Sequence, residues 1–360
     1  MVLEHYKTLH RIPERAFQEY RTAAYIEQEL RNAGYDPIRV GDTGLYADLC
    51  TDPSLPWLLF RADMDALPVK EETGLSFASE TDGMMHACGH DTHVAMLLTA
   101  AILLKDSKLP QNIRFLFQPA EEITSGAKVM IEAGVIPGNT VAAFGFHVWP
   151  KVPKGKIVAK AGALMASSTR IQISCIGRNA HCSKRQEGAD ALLTAARIAT
   201  RFHEAEAMAE NDGTVLFCGK LHSGSAHNIV SAEAEMVGTL RSYSEQSRER
   251  VLNKLEQIVQ ESAAEYGAQA KLSAFAYNPA VINHNELAEK VQMLLPDAIS
   301  DFEQSLAAED FSRYQHEVPG MFLWLGIGET AALHNGKFVV PEEVLPVGVD
   351  AWLNIANHTW

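Results

Sequence analysis

Between Arg61 and His93 the chain reads RADMDALPVKEETGLSFASETDGMMHACGHDTH, and eight of these residues carry His86, Cys88, His90, Asp91 and His93. Imidazole, thiolate and carboxylate together are the ligand types of a borderline divalent cation such as zinc. Cys88 and His90 are two apart on a glycine-containing loop, so both side chains can face one ion. Asp63 and Asp65 follow an apolar strand, and open α/β sheets gather their ligands at strand carboxyl ends. In a continued strand the two would share one face. A structural zinc site needs four Cys or His ligands at CxxC-type spacing, and only one cysteine lies here. A second acidic pair, Glu121-Glu122, follows another apolar strand and Pro119. Neighbouring side chains on an extended segment diverge, which suits one glutamate to a metal and the other to general-base work on water. His147, ending AAFGFHV, and His334, in LHNGKF, enlarge the set to one suited to two metal ions. Taken singly, each of these histidines has a plain structural use, as has His181 in GRNAHCSK.

The elements that must position these residues follow from hydrophobic period. Apolar residues recur at helical spacing from Phe17 to Asn32, with Gly34 as a stop. Leu45–Leu49 and Trp57–Phe60 read as strands, the second apolar enough to be covered on both faces. Residues 67–89 form a loop long enough to be functional. Asp91 is placed to cap a helix that runs to about Leu104. The strand Ile113–Phe117, a helix from about Ser125 to Glu132 and the strand Ala142–Val148 follow. Strands alternating with helices predict an α/β domain with a largely parallel sheet. Near residue 165 the pattern changes. RIQISCI alternates polar and apolar, as a half-exposed antiparallel strand does. A helix from about Ala189 to Glu206 comes next, then strands near Thr214–Lys220 and Ala234–Leu240, a charged helix from Glu245 to Tyr266, and a strand from Ala270 to Tyr277. That order, β-α-β-β-α-β, is the ferredoxin-like unit, inserted here into the first domain.

Composition narrows the class. The 360 residues are 47% hydrophobic and 21% charged, which is ordinary for a globular protein with room for two domains. There is no run of about 18 apolar residues and no basic-then-apolar leader, so the expectation is a cytoplasmic protein without a membrane span. Five scattered cysteines do not make a disulfide framework. A formal charge of −14 argues against nucleic acid or an anionic membrane as partner.

Taken together, RADMDAL, HACGHDTH, QPAEE, the strand ending in His147, GTLR, EDF and LHN resemble one family of metal-dependent amidohydrolases. It contains hippurate hydrolases, N-acyl-amino-acid amidohydrolases, N-acetyldiaminopimelate deacetylases and auxin-conjugate hydrolases, the aminoacylase-like branch of metallopeptidase family twenty. The resemblance runs in order over essentially the whole chain. It implies a zinc-peptidase-like α/β catalytic domain, residues 1–164 and 277–360, with a mainly parallel sheet. Residues 165–276 would be an inserted ferredoxin-like α+β lid and dimerisation domain.

The same resemblance implies two divalent metal ions per chain, zinc first, with manganese, cobalt or nickel able to occupy similar mixed sites. Cys88 would bridge them, His90 and His147 would supply the histidines of one site, and Glu122 and His334 would be the remaining ligands. How the ligands divide between the ions stays open. Glu121 would be the general base and proton shuttle, and Asp63 the carboxylate that orients a ligand. His181 would stabilise an oxyanion, in its own site or that of a homodimer partner. Asn228 and Arg241 would hold the substrate, Arg241 by pairing with a carboxylate. The implied reaction is hydrolysis of an N-acyl amino acid, of the N-acetyl or N-benzoyl type, to a carboxylic acid and a free amino acid. Deacetylation of N-acetyldiaminopimelate is the runner-up, followed by dipeptide hydrolysis or a non-catalytic binding role. The chain departs from the family pattern at Cys182-Ser183-Lys184-Arg185, where small residues and a Pro-His pair are usual, and at Gly336, where proline is usual. It is also somewhat short for the family. The first departure bears on contacts to substrate rather than on the ligands.

Overall fold

An apolar strand needs cover on both faces, and Trp57–Asp63 has it: from Leu58 to Asp63 every residue is buried. A computed structural model describes residues 1–360, with the side chain of residue 276 outside the description. In chain order the elements are α1 (Val2–His10), α2 (Tyr20–Asn32), β1 (Ile38–Val40), β2 (Gly44–Leu49), β3 (Trp57–Asp63), α3 (His90–Leu104), β4 (Asn112–Gln118), α4 (Gly126–Glu132), β5 (Thr140–Pro150) and β6 (Ile157–Val158). Next come β7 (Gly162–Met165), β8 (Ser167–Ile176), α5 (Ala191–Thr200), α6 (Phe202–Glu206), β9 (Val215–Ser223), β10 (Glu233–Ser242), α7 (Glu245–Glu265) and β11 (Gln269–Asn278). The chain ends with β12 (Val281–Asn283), α8 (Asn285–Leu294), α9 (Ser312–Glu317), β13 (Gly320–Gly328) and α10 (Leu345–Asn357). Two compact units result. One is Met1–Leu164, Ile282–Glu303 and Asp310–Trp360; the other is Met165–Val281 with Gln304–Glu309.

The first unit is built on a seven-stranded sheet in the order β1-β2-β4-β3-β5-β13-β6. The four central strands β4, β3, β5 and β13 are parallel; β2 and β6 pair antiparallel on either side. Parallel neighbours bring their carboxyl ends to one edge, so Asp63 lies beside Gln118 and His147 beside Trp324. Helix α3 is apolar on nearly every side and packs against α1 and α10. Phe60 sits at the centre, 4.5 Å from the Trp352 ring and 6.0 Å from Phe115. Truncating so central an aromatic costs about 3–5 kcal/mol.

The second unit is a four-stranded antiparallel sheet in the order β11-β8-β10-β9. Ile171, Ile173 and Cys175 alternate inward along β8 and meet Ala195, Ile198, Leu255 and Ile258 of α5 and α7. Their neighbours on the strand face outward, Ile176 among them.

Three local expectations are corrected. The helix expected from Phe17 begins only at Tyr20, because Phe17 adopts a left-handed φ of 58° and the carboxylate of Glu14 takes the Arg21 and Thr22 amides. The helix expected to run from Ala189 to Glu206 is broken at Arg201, whose side chain turns to Glu204 and Glu261. Asp91 is not a cap but a residue of the first turn of α3. Gly89, at φ 87°, occupies the cap position. No helix among the described residues is long and apolar enough to cross a membrane.

Candidate metal centre

The long loop ahead of α3 is closed by paired backbone hydrogen bonds between Leu67 and Met85. It then passes β5 so closely that a Cβ on Gly89 would lie 2.5 Å from Val148 Cγ2. Only glycine combines that approach with a positive φ. Cys88 is thereby held against β5, with Sγ 3.3 Å from His147 Nε2. Within α3, His90 and His93 are three apart and share a face.

Hydrogen bonding decides which imidazoles can accept a cation. His90 Nδ1 donates to the Asp65 carbonyl oxygen at 3.0 Å, which leaves Nε2 for a cation once its proton is displaced. His147 Nδ1 donates to the Val148 carbonyl oxygen at 2.6 Å, and its Nε2 faces Cys88. His93 differs. Its Nδ1 donates to Asp63 Oδ1 at 2.6 Å while its Nε2 accepts the Val148 amide at 2.9 Å, so both ring nitrogens are already engaged. His86 is buried with neither ring nitrogen paired, and it joins none of the ligand groups. Burial drops its pKa to about 4.

Among the described residues, two groups of three share one thiol. Cys88, His90 and His147 bring a ligand atom each within 4.8 Å of one another, and so do Cys88, Glu122 and His334. Glu122 Oε2 lies 3.4 Å from His334 Nε2. The backbone amide of His334 donates to the Ala87 carbonyl oxygen at 2.8 Å, which ties the late loop to the residue before Cys88. Glu121 is buried and groups with His90 and Glu122.

The arrangement fits a divalent cation. His90 Nε2 and Glu122 Oε1 are buried with no hydrogen-bond partner, an arrangement that costs free energy unless something positive meets them. Burial, with Glu122, Glu121 and Asp63 nearby, pushes the Cys88 thiol well up. Burial alone would keep His90 neutral, but Asp63, Asp65 and Glu122 outweigh it and lift the imidazole to about 10. A thiol, imidazoles and a carboxylate are a donor set that zinc and its borderline neighbours accept.

Residues 59–358 match Peptidase family M20/M25/M40. The chain belongs to this family. It is 35% identical over 359 residues to an N-acetylcysteine deacetylase of Bacillus subtilis, covering 97% of this chain and 94% of that protein. It is also 35% identical to thermostable carboxypeptidase 1 of Saccharolobus solfataricus, covering 95% and 91%. A crystal structure of a dinuclear metal binding peptidase of the M20 family from B. subtilis superposes with a TM-score of 0.89 at 34% identity, over 99% of this chain and 96% of that one. The protein is therefore an M20-family hydrolase.

Around the ligand groups of this M20 hydrolase lies a layer of buried charge. Arg61 donates to Asp63 Oδ2 at 2.7 Å, to Gln118 Oε1 at 2.9 Å and to Asp310 Oδ1 at 2.7 Å. Asp63 therefore orients His93, which bears no free lone pair, and approaches His90 Nε2 only to 3.9 Å. β3 ends at Asp63, and both carboxylates approach the His90 ring, Asp63 Oδ2 to 3.9 Å from Nε2 and Asp65 Oδ1 to 3.4 Å from Nδ1. Both oxygens of Asp65 also accept backbone amides, Glu121 and Glu122, at 3.0 Å each. Two further buried residues were not singled out by residue type or spacing. His10 bridges Asp91 at 2.6 Å and Glu71 at 3.3 Å, and its pKa rises to about 9. Glu19 accepts the Ala120 amide at 2.9 Å, and burial lifts its carboxyl to about 7. Ala120 holds a left-handed φ of 57°, a conformation that costs about 1–3 kcal/mol in a residue with a Cβ. The only local sign of Glu19 was an acid in the first turn of the helical pattern expected from Phe17.

The remaining predicted residues lie in the second unit. His181 is exposed, with Nδ1 2.9 Å from Ser183 Oγ. The segment of Asn228 runs beside it: the Asn228 carbonyl oxygen accepts the Cys182 amide at 3.0 Å. Arg241 is half-buried on β10, between Ser168 of β8 and Val215 of β9.

Proposed function

We propose that this M20 hydrolase uses two divalent metal ions to cleave the amide bond of N-acyl amino acids, of the N-acetyl or N-benzoyl type. The products are a carboxylic acid and a free amino acid. The single observation that supports this most is that Cys88 belongs to both ligand groups, as a bridge between two ions must. Cys88, His90, Glu122, His147 and His334 would hold the ions, with zinc favoured by the donor set. When bound, such ions polarise the acyl carbonyl and make water acidic enough to attack at neutral pH.

The chain's own residues would do the rest. Glu121 accepts the proton of the attacking water and returns it to the leaving nitrogen as the C–N bond breaks, since an amide nitrogen departs only when protonated. Asp63 and Arg61 keep His93 and the α3 turn in place beneath the ligands. His181 donates to the acyl oxygen as negative charge builds on it. Arg241 pairs with the carboxylate of the amino acid, and Asn228 holds its neighbour atoms. In this reading residues 165–276 act as an inserted lid whose closure excludes water, and as the surface of a homodimer. The absence of a disulfide framework favours the cytoplasm.

Similarity to an N-acetylcysteine deacetylase supports a small acyl group. Similarity to a carboxypeptidase supports a second reading in which a peptide replaces the acyl group and a carboxyl-terminal amino acid leaves. One experiment separates them. Amine release is measured from N-acetyl and N-benzoyl amino acids, N-acetyldiaminopimelate and dipeptides, after chelation and re-addition of single metals. Metal-restored cleavage of the N-acyl amino acids is expected. Preference for dipeptides would favour the second reading, and no cleavage of any of them would defeat both.

A further inference from the structure

Three consecutive amides lead into and through the paired glutamates, and two buried carboxylates accept all three. Asp65 takes Glu121 and Glu122. Glu19 Oε1 takes Ala120, 101 positions along the chain, at 2.9 Å. The same oxygen accepts the Phe17 amide at 3.0 Å. Phe17 and Ala120 are both left-handed, at φ 58° and 57°, and neither is glycine. One carboxylate oxygen thus pins two strained amides from distant segments. Strain of that kind persists only where the surroundings over-determine it.

The usual duty of an acid in this position is already taken. Glu19 precedes α2, yet its side chain makes no capping bond to that helix. The Arg21 and Thr22 amides go to Glu14 instead. The Glu14 carbonyl oxygen also accepts the Ala66 amide, next to Asp65. The segment 14–19 is therefore fastened at two points to the loops that carry the chemistry, and Glu19 supplies the fastening at Ala120.

We propose that Glu19 is a positioning residue for the hydrolysis: by holding the left-handed Ala120 amide, it sets the direction in which the Glu121 carboxylate leaves the backbone. This rests on Glu121 as the general base. Without the Glu19 acceptor, Ala120 can relax towards right-handed φ, and the Glu121 side chain swings with it. Misplacement of a reacting group by about 1 Å costs on the order of 100-fold in rate.

The test compares Glu19→Leu, Glu19→Asp and Glu19→Gln in the metal-loaded full chain. It reads kcat, KM, metal content and hydrogen–deuterium exchange over residues 118–126. Glu19→Leu is expected to lower kcat by about 10- to 100-fold, with KM within about threefold, unchanged metal content and faster exchange at Ala120–Glu122. Glu19→Gln, which keeps an acceptor oxygen, should recover most of kcat. Should Glu19→Leu not fold, Glu19→Asp asks the same question, because it keeps the charge and loses the reach. Native kcat or native exchange in the shortest-reaching folded variant overturns the proposal, as does a rate loss that merely tracks lost metal. If the wild-type chain cleaves no N-acyl amino acid, the reading of the reaction fails. Exchange at Ala120–Glu122 then still decides whether Glu19 holds the loop.

Discussion

Cys88 Sγ and His147 Nε2 lie 3.3 Å apart, and the other nitrogen of that imidazole donates to its own strand at Val148. The ring can therefore offer Cys88 only its lone pair. Before any cation binds, the thiol keeps its proton, because burial and the nearby acids push its pKa well up. His90 keeps one too, since its pKa is lifted to about 10. A cation must displace both protons to reach the sulfur and Nε2.

Metal uptake is accordingly coupled to pH. Both groups are protonated below their raised pKa values, so loading releases protons and affinity increases as pH rises. Titration calorimetry of the metal-free chain in buffers of different ionisation enthalpy should show proton release, with zinc affinity climbing between about pH 6 and 8. A flat affinity profile would show that neither proton is displaced.

His334 is the one candidate ligand that is half exposed, and only the second group needs it. His334→Ala is expected to reduce tightly held metal from two ions per chain to one while leaving the fold intact. Elemental analysis after dialysis gives the stoichiometry. Retention of two ions would remove His334 from the ligand set.

Glu121→Gln keeps size and hydrogen bonding and removes the base. Turnover should fall by about 10²- to 10⁴-fold, with metal content and substrate affinity close to native. Near-native turnover in a fully loaded variant would assign the proton transfer to another residue.

His10 gives stability a sign opposite to that of most buried carboxylates. Its pKa rises to about 9 in the fold, so its stabilising contact with Asp91 and Glu71 is complete below the unfolded value near 6.5 and is lost as pH climbs through 9. In the metal-free chain, the stability gap between wild type and His10→Gln should be widest near pH 6 and close by about pH 10. The full gap is roughly 2–4 kcal/mol. Denaturant unfolding at several pH values measures it; a gap that widens with pH would refute the assignment.

Ligand types at strand ends were legible because strand period and residue chemistry are both local. Cys88 and His90 on a glycine loop, the acidic pair after β4 and His147 late in β5 could all be picked out that way. What decides between His90 and His93 is not local. The Val148 amide fills one lone pair and not the other, and that depends on how β5 sits against α3. The work of Asp65 was not legible for a related reason: a carboxylate two residues past a strand end can accept from any amide within reach, and the sequence pattern does not say which. Glu19 and His10 were invisible because their partners lie far along the chain, and an acid or an imidazole in a polar segment is unremarkable until it is buried. The sheet's antiparallel flanks at β2 and β6 were likewise beyond a reading that rested on alternation of strands and helices.

The shared thiol also imposes an order on synthesis. Cys88 and His147 are 59 positions apart, so the side chains of the first group emerge from the ribosome close together. His334 follows only after the whole of the second unit has been made. A nascent chain thus carries Cys88, His90, Glu122 and His147 well before His334 exists, so the second group is one ligand short until late in translation.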